Sequence, residues 1–258
     1  MKKLVAVLLV LVLCVSACTY AEEGWVCPNC GAENTGNFCS NCRAQNPSII
    51  GFGDTVTFGT YAGEPIEWQV LEDKGDGTYV LLSVKGLDAK QYNTKWTEVT
   101  WETCTLRAWV NDEFYETAFS ASEKGRIVLS TVENPDNNVL GSKGGNTTQD
   151  YVYLLSLDEV GRYFHLDPYI GEGSEALICL PTQTAVKNGA YTLSQADVDK
   201  YQENKSYPIK AGACWWWLRS LFGGQDFAVF GDFDGLVLSG ASVDYTQVCV
   251  RPVICVRF

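Results

Sequence analysis

The chain has 258 residues, a formal charge of −12, 46% hydrophobic residues and 12% aromatic residues. That composition supports a globular core and excludes a disordered chain, while the acidic balance opposes binding to nucleic acid phosphates or to an anionic membrane face. The length allows one domain of about 200 residues with small attachments.

Met1-Lys2-Lys3 precedes the apolar run Leu4 to Val15. Twelve apolar residues suit a secretory leader and fall short of the roughly 20 that a membrane-spanning helix needs. Residues 1–21 are therefore read as a signal peptide, with two cleavage readings open. Val15-Ser16-Ala17-Cys18 resembles a bacterial lipobox, in which Cys18 is acylated and becomes the new N-terminus. Thr19-Tyr20-Ala21 before Glu22 resembles an ordinary signal-peptidase site. An uncleaved anchor is the third reading. All three export the rest of the chain, as a membrane-anchored lipoprotein or a secreted protein, so the expected location is extracytoplasmic.

Cys27-Pro28-Asn29-Cys30-Gly31 and Cys39-Ser40-Asn41-Cys42 come next, within a segment delimited as 22–46. Two Cys-x-x-Cys knuckles supply four thiolates in the tetrahedron that zinc takes in closed structural sites. Gly31 can adopt the positive φ such a knuckle needs. The stretch Cys27 to Gln45 resembles the short zinc-ribbon family, with Arg43 standing where that family repeats glycine. One structural zinc held by Cys27, Cys30, Cys39 and Cys42 is the expectation, and two disulfides are the alternative in an oxidising compartment. With four ligands filled, no position is open for catalysis.

After the polar linker from Gln45, the domain read over 50–258 opens with β-forming runs at Thr55–Phe58, Ile66–Leu71 and Tyr79–Val84, the last two joined around Asp76-Gly77. Leu106, Trp109, Val110, Phe114, Ala118 and Phe119 then recur at helical spacing. A short helix follows from Ser120 or Ser122 to Ile127, and residues 133–150 read as a glycine-rich surface loop. Tyr151–Leu155 reads as a strand, Ser156 and Glu159 as a capping box, and Ser194 to Gln202 as a helix. Phe227 to Leu238 is a hairpin around Asp234-Gly235. In the last run, Val248, Val250, Ile254, Val256 and Phe258 share one parity, which predicts one strand with a wholly apolar face, paired antiparallel beside Trp215-Trp216-Trp217.

Five cysteines remain outside the leader and the knuckles: Cys104, Cys179, Cys214, Cys249 and Cys255. On one unbroken strand Cys249 and Cys255 would lie about 20 Å apart, too far for a disulfide, whereas Cys214 with Cys249 stays open. The lone His165 follows a helix and reads as a surface or capping residue.

Trp216-Trp217-Leu218-Arg219-Ser220, Asp234-Gly235 and Val250-Arg251-Pro252 resemble a bacterial family of domains of unknown function. Ile66-Glu67-Trp68-Gln69-Val70-Leu71, Leu106-Arg107-Ala108-Trp109-Val110-Asn111 and Tyr153-Leu154-Leu155-Ser156 carry the same resemblance, which spans about residues 53 to 258. Leu221-Phe222 and Cys249 depart from the family's pattern.

The family is similar in layout to C-type-lectin-like domains and, more distantly, to the formylglycine-generating, sulfatase-modifying group. That likeness implies an α+β fold of twisted antiparallel sheets with short helices and long loops. It further implies a module that binds an envelope or extracellular polymer, or a protein, with an oxidoreductase-like enzyme or a purely structural envelope component as alternatives. The candidate ligand contacts are Trp215, Trp217, Arg219, Asp232 and Asp234. Core packing is the alternative for the tryptophans, a turn for the aspartates and internal bonding for the arginine.

Overall fold

The computed structural model of the chain describes residues 24–35, 38–43, 50–204 and 206–258. The predicted leader, with Cys18, lies outside the described residues. Among those residues, no helix is long and apolar enough to cross a membrane. The chain divides into two compact units, Met1–Ile49 and Ile50–Phe258.

In the smaller unit, β1 (Trp25–Val26) pairs antiparallel with β2 (Glu33–Asn34). Trp25, Cys27 and Cys39 form its small buried cluster.

The larger unit begins with a meander of β3 (Thr55–Tyr61), β4 (Glu64–Asp73) and β5 (Thr78–Ser83). Ala62 and Gly63 make the first turn with φ of 51° and 86°, the double positive φ that a tight two-residue hairpin demands. At the second turn, Asp76 Oδ1 accepts the Thr78 N–H at 3.0 Å and Gly77 takes φ 79°. Alternation along β4 buries Ile66, Trp68 and Val70 on one face.

The strand β6 (Asp88–Ala89) follows. The expected helical stripe is a single helical run made of α1 (Thr105–Trp109), one wider turn over Val110–Phe114, and α2 (Tyr115–Ala118). It buries Leu106, Val110, Phe114 and Ala118 and leaves Trp109 half-buried. The short α3 (Ala121–Lys124) is closed by a capping box between Ser120 and Glu123.

Residues 133–150 are not wholly a loop, because β7 (Ser130–Val132) pairs with β8 (Thr148–Asp150). Polar Asp150 turns inward because it has partners. Its carboxylate accepts from Trp101 Nε1 at 3.0 Å, Arg107 Nε at 2.7 Å and Thr148 Oγ1 at 2.7 Å. Asn111, one helical turn beyond Arg107, donates to Val152 O and accepts from the Tyr151 and Val152 amides. The Leu106–Asn111 motif thus ties the helical run to the next strand.

That strand is β9 (Val152–Tyr153), followed by α4 (Leu157–Phe164), which Ser156 and Glu159 open as a reciprocal capping box. Then come α5 (Gln183–Lys187) and α6 (Gln195–Tyr201), capped by Thr182 and Ser194. The chain finishes with β10 (Trp216–Leu221), β11 (Phe227–Gly231), β12 (Ser239–Ser242), β13 (Cys249–Val250) and β14 (Val253–Arg257). The β11–β12 hairpin turns at Asp232–Gly235, with its return strand at Ser239 rather than Leu236.

Two five-stranded sheets result, ordered β12-β11-β10-β13-β6 and β3-β4-β5-β14-β9. The fold is α+β, mostly sheet with short helices. The final run departs from expectation in two ways. It breaks at Arg251-Pro252, since proline has no N–H to give a ladder, and its halves enter different sheets. It also lies beside the tryptophan strand in parallel, with Trp216 opposite Cys249. On either side of the break it runs antiparallel to an earlier strand, Val253–Arg257 to residues 78–82 and Cys249–Val250 to Asp88–Ala89. The same stretch of chain therefore passes from one sheet into the other. Both faces of the run from Val248 to Val256 are buried, so the parity pattern marks a doubly covered strand and not a one-sided one.

Candidate functional site

The two knuckles of the smaller unit are built alike. The Gly31 N–H returns to Cys27 O at 2.8 Å, and the Arg43 N–H returns to Cys39 O at 3.0 Å. Both closing residues are left-handed, Gly31 at φ 73° and Arg43 at φ 63°, so the arginine occupies a conformation natural to glycine. Asn34 braces the second knuckle by accepting the Ser40 amide at 2.8 Å. Cys27 and Cys42 sulfurs stand 3.5 Å apart, as do those of Cys30 and Cys39, and all four lie within 4.8 Å of one another.

Sulfurs about 2.3 Å from a common tetrahedral ion sit roughly 3.8 Å from each other, whereas a disulfide bond is about 2.05 Å long. The spacing fits a four-thiolate metal site and does not fit two disulfides. The Cys39 thiol is lowered to about 6, chiefly by the backbone N–H of Cys42, which favours the thiolate a metal requires. Among the described residues, this is the one group of three or more Cys, His, Asp or Glu side chains placed to hold an ion.

In the larger unit, Trp215 is half-buried, whereas Trp216 and Trp217 are fully buried. The Trp215 ring stacks on Tyr191 with centroids 4.0 Å apart and planes at 13°, and Phe230 and Tyr245 flank it at 5.4 and 6.1 Å. Its Nε1 donates to Asp232 Oδ1 at 2.7 Å, which also accepts the Phe233 amide. Phe233 joins Tyr191 to the exposed Tyr201, and Tyr245 is exposed on the other side. Burial, then the charges of Asp197 and Asp232, push the Tyr191 phenol up, so it is a neutral donor at physiological pH. These rings make an aromatic surface with one fixed carboxylate in it.

The other sequence candidates lie elsewhere. Trp217 belongs to the core: its Nε1 donates to Lys90 O at 2.8 Å and its ring meets Tyr92 edge-on, out of reach of a ligand. Asp234 is buried in the hairpin turn, where Oδ1 accepts the Leu236 amide.

Arg219 is also buried, as a clamp rather than a contact for a ligand. It pairs with Glu159 and donates to Leu154 O at 2.8 Å, Glu133 O at 3.1 Å and Asn134 Oδ1 at 3.2 Å. A cleft of about 280 Å³ bordered by Asp136, Asp158 and Tyr169 opens beside it. His165 is the exposed left-handed cap of α4, at φ 54°. The five remaining thiols are all buried and free. Cys249 and Cys255 fall in different sheets, while Cys179, Cys214 and Cys249 come together.

Sequence reasoning missed Tyr191, Tyr201, Phe233 and Tyr245 at the aromatic surface. They come from three separate loops and one helix, and no local pattern joins them.

A four-cysteine knuckle unit followed by a curled two-sheet α+β domain defines the class of this protein. Residues 76–258 match the family described as Domain of unknown function (DUF6273), and the chain belongs to that family. No curated protein and no solved structure matches it.

Proposed function

We propose that the chain is an exported recognition protein that binds a saccharide polymer of the envelope or extracellular space through the aromatic surface around Trp215. The carrying observation is the half-buried Trp215 ring, held against Tyr191 and fixed at its Nε1 by Asp232. Sugar rings present apolar C–H faces that stack on aromatic side chains and hydroxyls that bond to a carboxylate. The acidic chain disfavours nucleic acid as the partner. Curled, mostly antiparallel sheets with short helices and long connections support a C-type-lectin-like layout. The leader carries export, with Cys18 as lipid anchor or with free secretion. The knuckle unit holds one structural zinc at Cys27, Cys30, Cys39 and Cys42, and its four filled positions leave no catalytic role.

The test is sedimentation of the full chain with insoluble peptidoglycan and with neutral and acidic polysaccharides. Trp215→Ala should weaken binding about ten-fold, the equivalent of about 1.4 kcal/mol. Wild-type protein that sediments with none of them, or a Trp215→Ala variant that binds as wild type does, removes this reading.

A further inference from the structure

Three of the buried thiols converge from distant parts of the larger unit. Cys179 and Cys214 face each other across an antiparallel bridge, with the Cys214 N–H bonded to Cys179 O at 2.8 Å. Directly opposed residues in such pairing have Cα atoms about 4.5–5.5 Å apart, inside the range a disulfide spans. Cys249 arrives on β13, its N–H bonded to Trp215 O at 2.8 Å. Gly86 receives the sulfurs: a Cβ there would stand 2.9 Å from Cys249 Sγ and 3.4 Å from Cys214 Sγ. All three thiols are fully buried.

The second observation is Arg251, also buried. Its Nε donates to Ser83 O at 2.9 Å and its guanidinium lies 4.9 Å over the Trp216 ring, yet its Nη1 has no hydrogen-bond partner. Among the described residues no carboxylate forms an ion pair with it, and its charge acts on Cys179 and Cys214. A buried cation without a carboxylate favours the anionic form of the groups around it, and a thiolate is the reacting species in thiol–disulfide exchange.

We infer that Cys179, Cys214 and Cys249 form an oxidisable site in which a cross-strand disulfide joins Cys179 to Cys214, with Cys249 as the alternate partner of Cys214. The oxidant is a disulfide. The Cys214 thiolate attacks one of its sulfurs, breaking that S–S bond, forming a mixed disulfide and releasing one thiolate, which takes a proton. The Cys179 thiolate then attacks Cys214 Sγ, forming the protein disulfide and releasing the second oxidant sulfur as a thiol. Two electrons and two protons pass from the protein thiols to the oxidant. Once the site is closed, burial pushes the Cys179 and Cys214 thiols well above their ordinary value and leaves no room for a mixed disulfide. Oxidation therefore belongs to folding, before the site is sealed. This inference is independent of saccharide binding.

The test is refolding of the full chain with zinc in a buffer of reduced and oxidised glutathione, then alkylation in denaturant, digestion and mass spectrometry. The expected product is a linked peptide pair carrying Cys179 and Cys214, about 2 Da lighter than the two free peptides, with Cys104 and Cys255 alkylated. Cys249→Ser should keep that link, and Cys179→Ser should move it to Cys214–Cys249. Wild-type protein that regains its native circular dichroism with Cys214 fully alkylated overturns the inference, as does Cys214 linked to Cys104 or Cys255. That wild-type measurement decides the matter even where a variant fails to fold.

Discussion

Replacing Arg219 with methionine separates a clamp from a ligand contact. The guanidinium is 5% exposed and its partner Glu159 20% exposed, and the same guanidinium bonds two carbonyls and an amide oxygen. Breaking a buried pair by removing one partner costs about 3–5 kcal/mol. Glu159 keeps some water and its capping bond to the Ser156 amide, so the lower end, about 3 kcal/mol, applies. In a unit of this length 1 kcal/mol corresponds to roughly 2–4 °C, so the Tm should fall by about 6–12 °C. Thermal unfolding followed by tryptophan fluorescence reads this directly. The double variant with Glu159→Gln should lose less than the sum of the two single losses. A fall of less than about 2 °C, with weakened polymer binding, would show that Arg219 serves a ligand and not the fold.

Chelation should unfold the knuckle unit and release one metal ion per chain, read by elemental analysis. Arg43→Gly should tighten metal binding by about five-fold, because relieving a left-handed arginine at φ 63° gains about 1 kcal/mol; competition with a chromogenic chelator measures it. Glu123 is held below its ordinary 4.5 first by the Ser120 hydroxyl, so its contribution is present above that value and is lost as pH falls through the lower folded value. Glu123→Gln should therefore lower stability at pH 7 in urea unfolding, with the difference from wild type vanishing in acid.

Local chemistry made much of the fold legible. The Asp76-Gly77 turn, the Ser156–Glu159 box and the Ser194 cap each act within a few residues, and each is where the sequence places it. The knuckles were equally legible, because the spacing of four cysteines sets the ligand geometry by itself. Other features depend on more than their own short stretch. Asp150 looked like loop until Trp101 and Arg107 enclosed it. Trp217 was open between core packing and ligand contact, and Tyr92 meets its ring inside the core. The terminal run looked like one strand because its parity survives Pro252, although a residue without an N–H was the available warning. At the aromatic surface, Trp215 was visible as one of three tryptophans, but which of the three stays open depends on Tyr191 and Asp232 arriving beside it.

The curl of residues 249–257 between the two sheets sets a condition on synthesis. β13 separates β10 from β6, and β14 separates β5 from β9. Neither layer can be completed until this stretch has been made. Until then the earlier strands present raw edges and uncovered tryptophans, the kind of surface that chaperones hold. The two sheets of the larger unit therefore close late, once residues 249–257 are free to pair.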